Sequence, residues 1–292
     1  MMTAQYLPCH TEKPQTDILL FGSMGNIGPT VERSLRAHGF TVRRVDFAQN
    51  TLRDEPGYRR ELNRSVAQFN PRIIIPIGNQ IALARLKPSL PQIVPVADAA
   101  VIELLDSKVR CSALAAELGI RQPRMYSSAF DVDSFPVIFK RDRSFGGSGV
   151  LRPRSREALQ RLVEHEPQNP YLIEELIEGT DYSVDAVRCG DFFQAACYRS
   201  LSNRGQGPST MREPAVREDL CRTARKILDH VGYQGVCGLD FRVSDDGTAY
   251  FLECNPRFTG GIETQIAAGF DIPYLLIEKF INFGQIPNKD PI

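Results

Sequence analysis

The chain has 292 residues, 42% of them hydrophobic, enough to bury a substantial core in one to three compact units. Lys plus Arg and Asp plus Glu stand at 35 each, so no overall field draws the chain to nucleic acid or to an anionic membrane, and any phosphate site must be local. Apolar runs such as IIIPI fall far short of a membrane span and the N-terminus lacks a signal-peptide pattern, which predicts a cytoplasmic protein with no membrane partner.

Residues 1–16 are polar and punctuated by proline, and read as a flexible tail. From Asp17 the run ILLFG is a short buried-type strand. GSMGNIG then leads into the helix VERSLRAHG, which closes at Gly39 before the strand TVRRVDF. Gly22, Gly25 and Gly28, followed by Asp46 at the end of the second strand, resemble a dinucleotide fingerprint in which glycines admit a pyrophosphate and the acid reads a ribose. A helix from Tyr58 to Phe69, the strand RIIIPIG and a helix from Asn79 continue the alternation, so residues 17–105 are expected to form a Rossmann-like parallel unit.

The next stretch, 106–178, opens with VIELLDSKVRCSALAAELGIRQP, whose apolar spacing predicts a helix ending at Gly119, with Lys108 in it or just before it. FPVIFK is a strand with Lys140 at its exit. The loop RDRSFGGSGV that follows sets Gly147 and Ser148 among backbone N–H groups suited to a polyphosphate, although a plain glycine hairpin with a solvated lysine has the same pattern. After a helix from Ser155 to Glu166, the strand YLIEELIEG carries Glu174, Glu175, Leu176 and Ile177. Such a hinge strand can bond a purine through its backbone, with a carboxylate for the exocyclic amine and a later acid, Asp181, for ribose hydroxyls.

In 179–292, residues 191–200 read as a strand, LSNRGQGPST as a loop with Arg204, and PAVREDLCRTARKILDHVG as a helix. GVCGLDFRV and AYFLECN then form an antiparallel pair around the turn Ser244-Asp245-Asp246-Gly247. Strand alternation sets Gly238, Asp240 and Arg242 on one face. On the partner strand it sets Phe251, Glu253 and Asn255 together, with Leu252 and Cys254 on the opposite, core side. Asp240 and Glu253 fall opposite or diagonal, and with the amide oxygen of Asn255 they offer the hard oxygen donors that Mg²⁺ shares with substrate phosphates. A solvated hairpin face with ordinary acids is the plain alternative, but Arg257 just beyond adds a cation suited to a phosphoryl or acyl-phosphate oxyanion. GIETQIAAGFDIPYLLIEKFI reads as closing helices. Seven cysteines without a C-x-x-C and four scattered histidines make no zinc constellation, so reduced, mostly buried thiols are expected.

Taken together, LLDSKVRCSALAAELGI, FPVIFKRDRSFGGSGV, YLIEELIEGTDYSV and GLDFRV…YFLECNPRF resemble, in order, the motifs of the ATP-grasp superfamily over residues 17–285, nearest its carbamoyl-phosphate-synthase and biotin-carboxylase-like branch. The resemblance implies an α/β fold, α+β in its C-terminal part, with a Rossmann-like pre-ATP-grasp domain at 17–105, a lid subdomain at 106–178 and a metal-bearing subdomain at 179–292. It implies that Lys108 and Lys140 contact ATP phosphates, that Glu174 with the backbones of Glu175 to Ile177 holds adenine, and that Asp181 takes the ribose. Asp240, Glu253 and Asn255 would ligate two Mg²⁺ ions, with Mn²⁺ as a substitute, and Arg257 would stabilise an acyl-phosphate. The implied reaction joins a small-molecule carboxylate to an amine, with a homodimer as the assembly. On the resemblance, a chain of this length is expected to carry no biotin, glutaminase or carrier domain, and Asp stands at the ribose position where Glu is common.

Three other readings compete. An NAD(P)-dependent oxidoreductase explains Gly22, Gly25, Gly28 and Asp46 but not the lysine–glycine loop or the hairpin. An ATP-grasp small-molecule kinase differs only in its product. A non-catalytic ATP-binding module has no use for a complete metal set and Arg257.

Overall fold

The computed structural model describes residues 16–47, 55–144, 146–166, 168–201 and 211–281; Arg204 and the expected tail lie outside them, except Thr16, which belongs to the first strand. The first strand, β1 (Thr16–Phe21), pairs in parallel with β2 (Val42–Val45) on one side and β3 (Pro71–Pro76) on the other, giving the order β2-β1-β3. Parallel neighbours need crossovers, supplied here by α1 (Ile27–Ala37) and α2 (Glu55–Phe69). Between β1 and α1, Gly22 is explained by packing. Gly22 adopts φ 114°, and a Cβ there would lie 2.5 Å from the Ile77 carbonyl oxygen, so only glycine lets the turn cross the end of β3. Asp46, the acid of the fingerprint-like pattern, is ion-paired to Arg44 at 2.5 Å.

α3 (Gln80–Leu86) leads to α4 (Ala99–Asp106) and α5 (Lys108–Glu117). The single helix expected here is broken at Ser107, which has extended backbone angles and caps α5 by accepting a hydrogen bond from the Arg110 N–H. Lys108 thereby becomes the first residue of a helix. β4 (Met125–Tyr126), β5 (Val137–Arg141), β6 (Val150–Leu151) and β7 (Tyr171–Glu175) form an antiparallel sheet in the order β4-β7-β5-β6, with α6 (Arg156–Glu164) against it. β7 ends at Glu175, so Leu176 and Ile177 leave the ladder.

The third sheet, in the order β10-β9-β8-β11-β12, contains β8 (Thr180–Cys189), β9 (Phe192–Ser200), β10 (Arg212–Ala215), β11 (Gly235–Val243) and β12 (Ala249–Asn255). Pro214 and Ala215, read from sequence as the start of a helix, belong to β10, which pairs with β9; α7 begins later and spans Glu218–His230. α8 (Ile262–Ala267) and α9 (Ile272–Phe280) close the chain.

Packing unites the first and third sheets. Leu19, Phe21 and Ile74 share one core with Leu239, Phe241 and Phe251, and Ile18, Leu20 and Ile75 share another with Val187, Leu276 and Ile277. The second sheet keeps a separate core of Tyr126, Val137, Phe139, Leu159 and Ile173. One face of the third sheet is thus sealed by apolar packing along its length. Its other face, covered by α9 near Val187, carries the polar side chains described next.

Candidate functional site

The hairpin β11–β12 sets the site. Asp240 and Glu253 are direct cross-strand partners, Gly238 faces Asn255, and the ladder then slips at a β-bulge between Asp240 and Phe241. The slip corrects one expectation. An extra residue on β12 resets the alternation, so Phe251 does not share the face of Glu253; it is 2% exposed, lies in the core with Cys254 and packs edge-on against Phe241 at 5.7 Å between centroids. Leu239, Phe241 and Val243 occupy the core face, as alternation requires. Cys254 is buried too, its Sγ 3.1 Å from that of Cys237, and burial raises its thiol well above the ordinary range, which makes it inert.

Asn255 lies between the two carboxylates. Its Nδ2 donates to Asp240 Oδ2 at 3.0 Å and to Glu253 Oε1 at 3.4 Å, while its Oδ1 accepts from the Arg257 guanidinium at 2.7 Å. The amide donor occupies the place a cation would take, so Asn255 serves as an oxygen ligand only once the amide turns over. Burial, then the negative charges of Glu253 and Asp185, push the Asp240 carboxyl up to about 8. A bound divalent cation would relieve the same repulsion. Among the described residues no group of three or more His, Cys, Asp or Glu side chains is set to hold a metal, so this donor set is two carboxylates plus an amide, which fits a metal that shares its shell with phosphates.

The two lysines converge from other elements. Lys108, at the start of α5, points its Nζ to Glu253 Oε2 at 3.4 Å and to the carbonyls of Asp142 and Ser144 at 3.3 Å each. Lys140 on β5 is paired with Glu174 on β7, Nζ to Oε2 at 2.7 Å, because Ile138 faces Glu174 in the ladder and Lys140 shares its face. Both members are buried, and Glu174 Oε1 has no hydrogen-bond partner among the described residues, leaving an acceptor open to an exocyclic amine. Burial raises the Glu174 carboxyl and Lys140 opposes the rise. The Glu175 N–H is committed to the Arg124 carbonyl at 2.9 Å, so what Glu175 brings to a hinge is its own carbonyl. Asp181 faces Arg242 across the β8–β11 ladder and binds it at 2.8 Å, and burial raises its carboxyl. Gly146 and Gly147 hold φ of 60° and 78°, the left-handed region that favours glycine, and Gly149 passes so close to Ser144 that a Cβ would meet its side chain at 2.3 Å.

A second cluster escaped the sequence reading. Ser183 faces Asp240 and Asp185 faces Gly238, so both share the face of the metal candidates. Arg212 donates to Ser183 Oγ at 2.8 Å and to Asp185 Oδ2 at 3.4 Å, and Thr259 donates to Asp185 Oδ1 at 2.8 Å. The alternation in TDYSVDAV carries a signal for Ser183 and Asp185; Arg212 lay in a segment whose strand character only the pairing with β9 reveals.

The chain is similar to several known proteins. Residues 167–291 match the family model described as ATP-grasp in the biosynthetic pathway with Ter operon. The chain is 27% identical over 297 residues to the carbamoyl phosphate synthase large chain of Helicobacter pylori, covering 84% of this chain and 27% of that protein. Against the arginine-specific large chain of Bacillus subtilis it is 23% identical, covering 53% of this chain and 17% of that one, so it spans well under a third of these relatives. The fold is similar to the biotin carboxylase domain of Hydrogenobacter thermophilus 2-oxoglutarate carboxylase (TM-score 0.73, 18% identity, 94% of this chain and 71% of that one). It is also similar to the L-amino acid ligase of Bacillus licheniformis (TM-score 0.71, 14% identity, 90% and 74%). In these motifs, this fold and these relatives the chain is similar to the ATP-grasp superfamily, nearest the branch of the carbamoyl phosphate synthase large chain and biotin carboxylase.

Proposed function

We propose that the chain is an ATP- and Mg²⁺-dependent ligase that joins a small-molecule carboxylate to an amine through an acyl-phosphate. The observation that carries this reading is the direct pairing of Asp240 with Glu253, with Asn255 and Arg257 beside them and the Lys108 ammonium 3.4 Å from Glu253. Structures similar to this fold include a biotin carboxylase domain in complex with MgADP and an L-amino acid ligase, and relatives in sequence are carbamoyl phosphate synthases.

In this reading Glu174 Oε1 and the Glu175 carbonyl accept from the adenine amine, the Ile177 backbone completes the hinge, and Asp181 takes the ribose. Lys140, Lys108 and the turn at Gly147 and Ser148 hold the phosphate chain. Asp240, Glu253 and Asn255 would hold Mg²⁺, or Mn²⁺ in its place, which would supply positive charge against the phosphate chain. A substrate carboxylate oxygen attacks the γ-phosphorus and ADP leaves; the amine nitrogen then attacks the acyl carbon and phosphate leaves. A free carboxylate is a poor electrophile, so the phosphoryl group must be installed first. Arg257 stabilises the acyl-phosphate and its tetrahedral successor.

The Ser183–Asp185–Arg212 cluster presents a cation and an anion on the same face as the metal pair, which suits an acceptor carrying both charges, such as an amino acid. The 2-oxoglutarate carboxylase domain is a dimer, and a homodimer is the assembly to test here. A screen of carboxylates against amines, each pair with Mg-ATP, reads the reaction directly. Phosphate release that requires both partners and comes with an amide product supports ligation. Phosphorylated carboxylate as the stable product, with no dependence on an amine, would replace it with a kinase.

A further inference from the structure

The Asp142 side chain has no part in the site as described so far, yet the residue bonds Lys108 and stands two positions after Lys140 in the chain. It lies at the root of the glycine loop and is 8% exposed. Its Oδ1 accepts from Ser107 Oγ and from the Val109 N–H, each at 2.9 Å, and its backbone carbonyl accepts from Lys108 Nζ at 3.3 Å. Its own N–H is fixed to the Pro170 carbonyl at 2.9 Å. Three successive residues of α5's opening, 107, 108 and 109, are therefore held by a single residue just past the end of β5.

The chemistry favours this clasp. The first N–H groups of a helix have no partner within it, and a carboxylate at that end satisfies one and is favoured by the helix dipole. Ser107 Oγ, oriented by donating to Asp142, accepts in turn from the Arg110 N–H at 3.1 Å. Lysine is a point charge on a flexible stem, and holding its ammonium in one place is costly unless its root and its N–H groups are both fixed. Asp142 fixes the root through Val109 and the head through its carbonyl. Because β5 is continuous from Lys140 to Arg141, the same residue sets the relation between the two lysines.

We propose that Asp142 is a positioning residue for phosphate recognition: it binds no nucleotide, and it holds Lys108 in register with Lys140 by clasping the first turn of α5. This rests on the nucleotide reading above. A cap that only stabilised α5 would lower the melting temperature without distinguishing ligands by their phosphates, whereas a positioning role makes the loss grow with phosphate number.

The test is calorimetric binding of Mg-ATP, Mg-ADP and adenosine to the full chain and its variants, with melting temperatures alongside. Asp142→Ala is expected to weaken Mg-ATP about 10- to 100-fold, Mg-ADP less, and adenosine not at all. Asp142→Asn, which keeps an Oδ1 acceptor, is expected to restore binding to within about threefold of the parent. Ser107→Ala removes one of the two donors and serves if Asp142→Ala does not fold; it is expected to show a smaller loss in the same order. Equal weakening of all three ligands, or none, in a parent that prefers Mg-ATP would overturn the inference while leaving the nucleotide reading intact. A parent that binds Mg-ATP no better than adenosine would overturn both.

Discussion

Lys140 and Glu174 form the most deeply buried ion pair of the candidate site, and that burial gives them separable consequences. Removing one member of such a pair leaves an uncompensated charge, so Lys140→Met is expected to destabilise the nucleotide-free protein by about 3 kcal/mol in denaturant unfolding at neutral pH. Glu174 is already raised by burial and Lys140 opposes the rise, so losing Lys140 raises it further. A carboxyl raised above its unfolded value contributes stability at low pH and loses it as pH climbs through the folded value. The deficit of the Lys140→Met variant should therefore shrink as pH falls toward the ordinary Glu value of 4.5, and a deficit independent of pH would mean that Glu174 is not the group left behind. At the metal pair, Glu253→Gln keeps the shape and removes a charge where phosphoryl charge develops. Turnover is expected to fall by about two orders of magnitude or more with a much smaller loss of ATP affinity, and Asp240→Asn to follow less severely. Normal turnover in the Glu253 variant would detach the hairpin from the chemistry.

Among the elements, the hairpin was legible because its two runs alternate cleanly around a Ser-Asp-Asp-Gly turn, which puts Asp240 opposite or diagonal to Glu253; the ladder makes them direct partners. The placement of Phe251 was not, because a bulge leaves no mark in an apolar–polar pattern that reads equally well without it. The break between α4 and α5 was hidden for a related reason: helical spacing runs through Ser107, and only its side-chain cap reveals the interruption. β4, β6 and β10 are short strands whose identity comes from the neighbour they pair with, not from their own residues. The glycine run after β1 carried a real signal of close approach, but what approaches is the Ile77 carbonyl. Gly22→Ala should then cost about 2 kcal/mol or more in unfolding free energy and leave nucleotide affinity unchanged. A variant of unchanged stability with weakened dinucleotide binding would return the oxidoreductase reading.

For the whole molecule, four motifs spread from Lys108 to Arg257 become one site because the first and third sheets share their cores while the second, with its own core, brings Lys140 and Glu174 from another direction. Fold class and the family resemblance were legible from those motifs in sequence order. The acceptor side was not, since Ser183, Asp185 and Arg212 come from three stretches that only the sheet brings together. Among the described residues no helix is long and apolar enough to cross a membrane. The central claim, a Mg-dependent ATP site spanning these elements, is tested most directly by the melting temperature of the protein with Mg-ATP, with ATP plus EDTA, and with neither. A ligand that binds only the native state stabilises it by mass action, so Mg-ATP at roughly 100 times its Kd should raise the midpoint by about 5 °C or more, and EDTA should remove most of that rise. An unchanged midpoint at millimolar Mg-ATP would contradict the account.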